Sequence, residues 1–176
     1  MIMSSTELVF GKENIDIKLK SLVKTDQYNV FKDKITNDHW LLTFYESEML
    51  ECDLGVLEKV PVNKCVDLIG KLIDSEDIQE VITICLIIYD RNFDDDKNNR
   101  LLLIESLENY YNICPRTEFA LKKIRFTIYE TELYDSINLE PILGKSYVEI
   151  ESDSTFYKEI SLRSKKLLEM CSVSDW

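Results

Sequence analysis

The feature that most constrains the fold is a long apolar run in an otherwise highly charged chain. The run is Val81-Ile82-Thr83-Ile84-Cys85-Leu86-Ile87-Ile88. It is far shorter than the roughly 20 residues that a membrane-spanning helix needs, so we expect it in the core of a water-soluble protein. Its β-branched residues suit a buried strand, but its length and the acidic residues before it suit a buried helix. We favour a helix over residues 78–90.

The residues on both sides of this run predict further helices. After Pro61, apolar residues recur up to Ile73 at the i, i+3, i+4 spacing of an amphipathic helix. Ser75 or Asp77 can then cap the helix that follows. A third helix is predicted over residues 97–112, and Cys114-Pro115 should end it. The chain therefore has a predicted helical middle over about residues 62–112.

The two ends of the chain predict short antiparallel strands, because apolar and polar residues alternate there. The segments are residues 7–10 and 15–20, which would form a hairpin, and residues 123–130 and 146–151. Residues 156–170 predict a closing helix. We expect a single α+β domain over residues 1–176. The alternative is an all-α HEAT-like fold, because the three helices of residues 62–112 resemble the helix pairs of HEAT-type repeats.

The charge of the chain is strongly negative and is concentrated in one interval. The sequence has 33 acidic and 21 basic residues, a net charge of −12. Residues 38–96 alone contain 15 acidic and four basic side chains. Phosphate backbones are bound by clustered Lys and Arg, so we do not expect nucleic acid as a ligand. An acidic surface instead attracts basic protein partners.

The cysteines and the first residues bear on the cellular compartment. Five cysteines lie at positions 52, 65, 85, 114 and 171, without a C-x-x-C pair. The odd number and irregular spacing of these cysteines predict reduced thiols. Cys85 lies inside the apolar run, so we expect it to be buried as a small apolar side chain. Residues 1–7 have neither the basic start nor the apolar stretch of a signal peptide. We therefore expect a cytoplasmic protein that does not enter the membrane.

Motifs for enzymatic chemistry are scarce. The chain has no G-x-S-x-G, no Gly-rich phosphate loop and no H-E-x-x-H. His39 is the single histidine, and a structural or N-terminal helix position is favoured for it over a general base. Residues 90–98 resemble a calcium loop, but Asp95 replaces the required Gly and Leu101 replaces the closing Glu. We therefore expect no enzyme activity, no cofactor and no metal.

The acidic helical middle, the small size and the lack of catalytic motifs give the chain one functional resemblance. It resembles the small, acidic, cytoplasmic immunity proteins with which bacteria neutralise polymorphic or contact-dependent toxins. The resemblance implies a binding protein whose acidic surface occupies the basic groove of a toxin, often a nuclease. The acidic residues to which it points are Glu46, Glu48, Glu51, Asp53, Asp74, Glu76, Asp77, Asp90, Asp94, Asp95 and Asp96. The candidate aromatic anchors are Trp40, Tyr45, Tyr89 and Phe93.

Two other functions stay open at this point. The first is a helical scaffold or adaptor that binds a partner protein through an apolar groove. The second is a divalent-cation-dependent enzyme or sensor built on residues 90–98. The oligomeric state is left open. If the acidic groups at the predicted helix junctions lie on one side of the fold, they form one negative face.

Overall fold

The computed structural model describes residues 7–47, 51–62, 64–91, 96–114, 116–138 and 142–172. Within these ranges the protein has six helices and one five-stranded antiparallel sheet, so it is an α+β protein with mostly helical structure. The chain forms two compact units, residues 1–68 and residues 69–176. The assignment of one domain to the whole chain stays a prediction. None of the described helices is long and apolar enough to cross a membrane.

The first unit contains the sheet and one helix that crosses it. The elements are β1 (Leu8–Phe10), α1 (Lys12–Leu19), β2 (Leu22–Lys24), β3 (Val30–Asp33), β4 (His39–Ser47) and β5 (Cys52–Lys59). The strand order is β1-β5-β4-β3-β2, and every neighbouring pair is antiparallel. β1 and β2 are therefore the two edge strands. The α1 helix connects them and contacts β1, β5 and β2.

The core of this unit lies between α1 and one face of the sheet. Ile15, Leu22, Trp40 and Leu57 are buried together. Val9, Leu19, Phe31 and Leu42 pack around them. The register explains the grouping, because Val9 and Leu42 both lie opposite Leu57 on neighbouring strands. Side chains alternate between the faces of a strand, so this register brings the apolar ones to the side of α1.

The second unit is helical. The α2 helix (Cys65–Asp74) spans the boundary between the units, and α3 (Ile78–Asp90), α4 (Asp96–Ile113), α5 (Glu118–Glu130) and α6 (Tyr147–Ser172) follow. The apolar run of residues 81–88 is buried in α3, which confirms the helix prediction. The α3 helix packs against α5, and α6 packs against α4 and α5. The three predicted helices of the middle are thereby confirmed, and α6 extends the predicted closing helix.

Three of the predicted strands are wrong. Residues 15–20 lie mostly in α1, residues 123–130 in α5, and residues 146–151 at the start of α6. In α5 the Thr117 hydroxyl accepts the N–H of Ala120, and Ile124, Thr127 and Ile128 are buried at helical spacing. The strand at residues 7–10 is correct, although its partner is β5. The sheet also excludes the all-α alternative.

Candidate functional site at the end of the β4–β5 hairpin

The register of β4 and β5 places two acidic side chains side by side. Glu46 lies directly opposite Asp53, next to the Ser47–Cys52 pair that closes the described part of the hairpin. Both side chains are exposed. Directly opposed residues have Cβ atoms about 4.5–5.5 Å apart, and like charges at that spacing are destabilising. The hairpin therefore keeps a repulsive pair at its end.

Glu51 adds a third carboxylate to this end of the hairpin. It is the residue before β5, it is exposed, and its backbone has a φ of 52°. This left-handed conformation is uncommon for residues other than Gly, Asn and Asp, and here it belongs to the turn between the strands. Glu46, Glu51 and Asp53 thus lie at the same end of the β4–β5 hairpin.

An exposed aromatic ring lies next to the acidic pair. Phe44 precedes Glu46 by two residues, so both side chains leave β4 on the same face. Its side chain is 62% exposed, and it lies opposite Gly55. A Cβ on Gly55 would lie 3.3 Å from Phe44 Cε1 and 3.1 Å from Ile15 Cδ1, so the glycine provides the space for both side chains. We call Phe44, Glu46, Glu51 and Asp53 the acidic hairpin end.

Two lysines of the first unit pair with acids away from the hairpin end. Lys18 Nζ lies 3.1 Å from Asp33 Oδ2, and Lys59 Nζ lies 2.7 Å from Asp38 Oδ2. The hydrogen bond from Lys59 contributes most to lowering the pKa of Asp38. Within the described part of the chain, no ion pair joins the three acids of the hairpin end to a lysine or arginine. Their charge is therefore available to a partner.

Two of the predicted aromatic anchors have other positions. Trp40 is 1% exposed and belongs to the sheet core, so it does not fit the role of an interface anchor. Its indole N–H has no hydrogen-bond partner in the described structure, and Lys18 Nζ lies 4.4 Å from the ring centroid. Tyr45 is half-buried and points to the opposite face from Phe44 and Glu46. Phe44, which the sequence reasoning missed, is the exposed ring on the acidic face.

A second group of candidate acids lies at the α2–α3 junction, and one of them caps a helix. Asp74, Glu76 and Asp77 are exposed there. Asp77 Oδ1 accepts the N–H groups of Gln79 and Glu80 at 2.7 and 3.3 Å, so it is the N-cap of α3. The structure therefore gives this carboxylate a role in folding, as its position before an apolar run predicted.

A buried lysine lies beneath this junction. Lys123 Nζ donates hydrogen bonds to the carbonyl of Ile73, at 2.8 Å, and to that of Ser75. The rings of Tyr110 and Phe119 lie 4.8 and 5.3 Å from the same nitrogen. Burial lowers the pKa of Lys123, and the nearby Asp74 opposes that shift. Part of the negative charge at this junction is therefore balanced from inside the protein.

The third acidic group begins at the other end of α3. Asp90 is exposed at the last position of this helix, beside the exposed Tyr89. Thirteen helical residues span about 20 Å, so Asp90 and the group at Asp77 do not form one compact cluster. Glu48, Phe93, Asp94 and Asp95 lie outside the described residues, and Asp96 begins α4. Residues 92–95, the centre of the loop resembling a calcium site, are therefore outside the described structure.

The remaining candidates for chemistry are the single histidine and the five cysteines. His39 is exposed at the start of β4, so its predicted helix position is wrong. Burial raises the pKa of the Cys85 thiol to about 12 and that of Cys171 to about 11, which makes both poor nucleophiles. All five cysteines are unbridged. No group of three or more His, Cys, Asp or Glu residues in the described ranges could hold a metal ion.

Comparison of the chain with family models, with curated proteins and with solved structures gave no match. The acidic hairpin end is distinguished by its geometry: three carboxylates that have no ion pair among the described residues lie beside an exposed ring at the end of β4 and β5.

Proposed function

We propose that this chain is a non-catalytic binding protein that holds a basic protein partner at the acidic hairpin end. One observation carries the proposal: Glu46 lies directly opposite Asp53 beside the exposed ring of Phe44. A like-charged pair costs folding stability, and a lysine at either position would relieve the cost. Partner binding supplies a reason for keeping two acids there, because a basic partner would compensate both charges.

The arrangement also has the composition of an interaction site. Interfaces combine a few aromatic anchors with a polar, charged rim, and electrostatic complementarity speeds the encounter. Here Phe44 supplies the ring, and Glu46, Glu51 and Asp53 supply the rim. The net charge of −12 over 176 residues adds a long-range attraction for a basic surface.

Within this class, we propose an immunity protein that neutralises a toxin in the cytoplasm. The support is the resemblance in size, acidity and lack of catalytic motifs, together with the acidic hairpin end. In this function the carboxylates would occupy the groove where a toxin, such as a nuclease, binds phosphate groups. The protein would block the groove sterically and electrostatically, without a chemical step of its own.

The test starts from the gene next to the one that encodes this chain. If the proposal is correct, the neighbouring gene encodes a toxin with a basic C-terminal domain, and co-expression of this chain restores growth of cells that produce it. Binding of the purified proteins, measured by calorimetry, should weaken steeply between about 50 and about 500 mM NaCl. Salt in this range screens the attraction between exposed charges that lie about 10 Å apart. A neighbouring toxin whose activity this chain leaves unchanged would contradict the proposal.

The site is tested with two matched variants. E46Q/D53N removes the opposed charges and should weaken binding by about tenfold or more, because it removes two charges that attract and steer a basic partner. D16N/D26N removes two exposed carboxylates from α1 and the β2–β3 loop, with the same change in net charge. It should bind almost as the wild type does. Equal loss in both variants would show that net charge alone, not the hairpin end, attracts the partner.

A further inference from the structure

A second surface of unusual composition lies just before α6. Residues 142–148 expose four large apolar side chains: Leu143 is 97% exposed, Tyr147 77%, Val148 72% and Ile142 63%. They lie within seven consecutive residues, so they are neighbours in space by chain length alone. Single exposed apolar side chains are ordinary, but a contiguous group is typical of an interaction site. We call residues 142–148 the apolar turn.

The structure holds this segment in place. The N–H of Lys145 donates to the carbonyl of Ile142 at 3.1 Å, and Gly144 supplies the φ of 85° that a type II turn needs at its third position. Ser146 then begins α6 through a capping box: Glu149 Oε2 accepts its N–H and its hydroxyl at 2.7 Å each. The apolar side chains are thus displayed by a defined turn and helix start.

An ion pair ties the same turn to the body of the second unit. Lys145 Nζ lies 2.6 Å from Asp153 Oδ2, and Lys97 of α4 pairs with the other oxygen of that carboxylate. Hydrogen bonds from the two lysines lower the pKa of Asp153. Because Asp153 is buried, Lys145 is directed toward it, and the charge of Lys145 makes only a minor contribution to the lowered pKa of the exposed Glu149, after the hydrogen bonds from Ser146.

The charges around the apolar turn decide which occupant it fits. Glu149 and Glu151 are exposed next to it, and the only basic residue between positions 132 and 151 is Lys145. A second copy of the chain would bring the same carboxylates together, and an anionic membrane surface would be repelled. An amphipathic segment with apolar and basic side chains would bury the former and pair the latter.

We propose that the apolar turn is a docking surface for a basic amphipathic segment of a protein partner. Leu143, Tyr147 and Val148 form its apolar centre, and Glu149 and Glu151 form its acidic rim. The inference rests on the proposed function, since both assign a basic protein as the partner, but it concerns residues of the second unit, whereas the acidic hairpin end belongs to the first.

The probe for this surface is a synthetic 18-residue helical peptide made of leucine and lysine. Its control has the same lysines, with serine in place of every leucine. Calorimetric titration at 50 mM NaCl should give at least tenfold tighter binding for the leucine peptide, because the apolar centre carries the affinity. Equal affinity for the two peptides would reduce the interaction to charge and overturn the proposal.

Two variants locate the binding. L143S/V148S should weaken binding of the leucine peptide by roughly tenfold. The control I35S/I113S removes two other exposed apolar side chains, in the β3–β4 turn and at the end of α4, and should stay within about twofold of the wild type. Unchanged unfolding midpoints would exclude loss of folding as the cause. Equal effects of the two variants would place binding elsewhere and overturn the proposal.

The natural partner separates this inference from the proposed function. If E46Q/D53N weakens its binding and L143S/V148S does not, the hairpin end stands as the site and the apolar turn is overturned. If L143S/V148S alone weakens it, the docking surface stands and the hairpin proposal fails. Sedimentation of the free protein as a dimer that L143S/V148S dissociates would assign the apolar turn to a second copy and overturn the inference.

Discussion

Asp33 is the residue that joins three parts of the first unit. Its Oδ1 accepts the N–H groups of Ile35 and Thr36 at 2.9 and 3.1 Å, and its Oδ2 accepts a hydrogen bond from Lys18. The backbone bonds contribute most to lowering its pKa from 3.8 to about 2. Since Lys18 also lies over Trp40, Asp33 links the β3–β4 turn, α1 and the sheet core.

Asp33→Asn should remove an acid-sensitive part of the stability of the first unit. A carboxyl with a lowered pKa stabilises the fold above its unfolded value and loses that contribution as the pH falls to the folded value. The free-energy difference between wild type and variant should therefore shrink between pH 3.8 and about 2. Urea unfolding at several pH values measures it, with Asp26→Asn as the exposed control. A difference that does not change with pH would contradict the role of Asp33.

Lys123→Met should destabilise the second unit strongly. Methionine has a similar volume but no donor, so the carbonyls of Ile73 and Ser75 would lose their partner at the end of α2. We expect a loss of about 2–4 kcal/mol in the free energy of unfolding. Lys122→Met is the control, because Lys122 is exposed and pairs with Glu118 on the surface, where water screens the charges and the pair contributes little to stability. Equal urea midpoints for the two variants would contradict this account.

At the scale of elements, the opposed acids of the β4–β5 hairpin should lower its stability and, in the proposed function, favour binding of a basic partner. Glu46→Lys would turn a repulsive cross-strand pair into an attractive one with Asp53. We expect the variant to be more stable by about 0.5–1 kcal/mol, since opposed charges contribute that much across two strands. Its binding to the natural partner should fall, and Glu46→Gln should be intermediate in both properties. Urea unfolding and calorimetry measure the two effects, and a less stable Glu46→Lys variant would contradict the proposed pairing.

The helices of the middle could be predicted because each has local evidence of its own. The apolar run of α3 follows a capping aspartate, Asp77, and its length exceeds that of an ordinary strand. Residues 123–130 had no such evidence within the segment itself. The short alternation of apolar and polar residues fits a strand. The cap at Thr117 and the packing against α3 stabilise a helix instead. A short apolar pattern fits both a helix and a strand, so tertiary contacts determine which of the two forms.

The candidate site was predicted in part. Glu46, Glu51 and Asp53 were identified by charge, but no sequence pattern placed them on a β-hairpin. The opposition of Glu46 and Asp53 depends on strand register, which a charge count does not contain. Phe44 was missed because its exposure follows from that register and from Gly55 opposite it. The burial of Trp40 likewise depends on α1 covering its face of the sheet.

At the scale of the whole molecule, ion pairs use a share of the basic residues and leave acids in excess. Arg163 makes a two-point hydrogen bond to Glu108, at 3.0 and 2.6 Å, which joins α6 to α4 and lowers the pKa of that glutamate. Lys97 and Lys145 both pair with Asp153. These three basic side chains therefore form ion pairs inside the second unit. Because the sequence has 33 acidic and 21 basic residues, the surplus carboxylates repel one another across the surface.

Salt should therefore act in opposite directions on folding and on partner binding. Raising NaCl from 0.1 to 1 M shortens the Debye length from about 10 to about 3 Å, which screens both the self-repulsion and the attraction of a basic partner. At pH 7 we expect the free energy of unfolding to rise by about 1 kcal/mol, or roughly 2–4 °C in Tm, while the Kd for the partner increases. Thermal unfolding at a series of NaCl concentrations measures the first effect.

The control for this prediction is the same salt series near the isoelectric point, about pH 4.6, where the net charge is close to zero. The stabilisation by salt should disappear there, because no net repulsion is left to screen. A fall in Tm with salt at pH 7 would mean that the ion pairs of Asp153 and Glu108 outweigh the repulsion among the surplus acids. The charges would then stabilise the fold by themselves. Binding of a partner would no longer be needed to explain the excess of carboxylates.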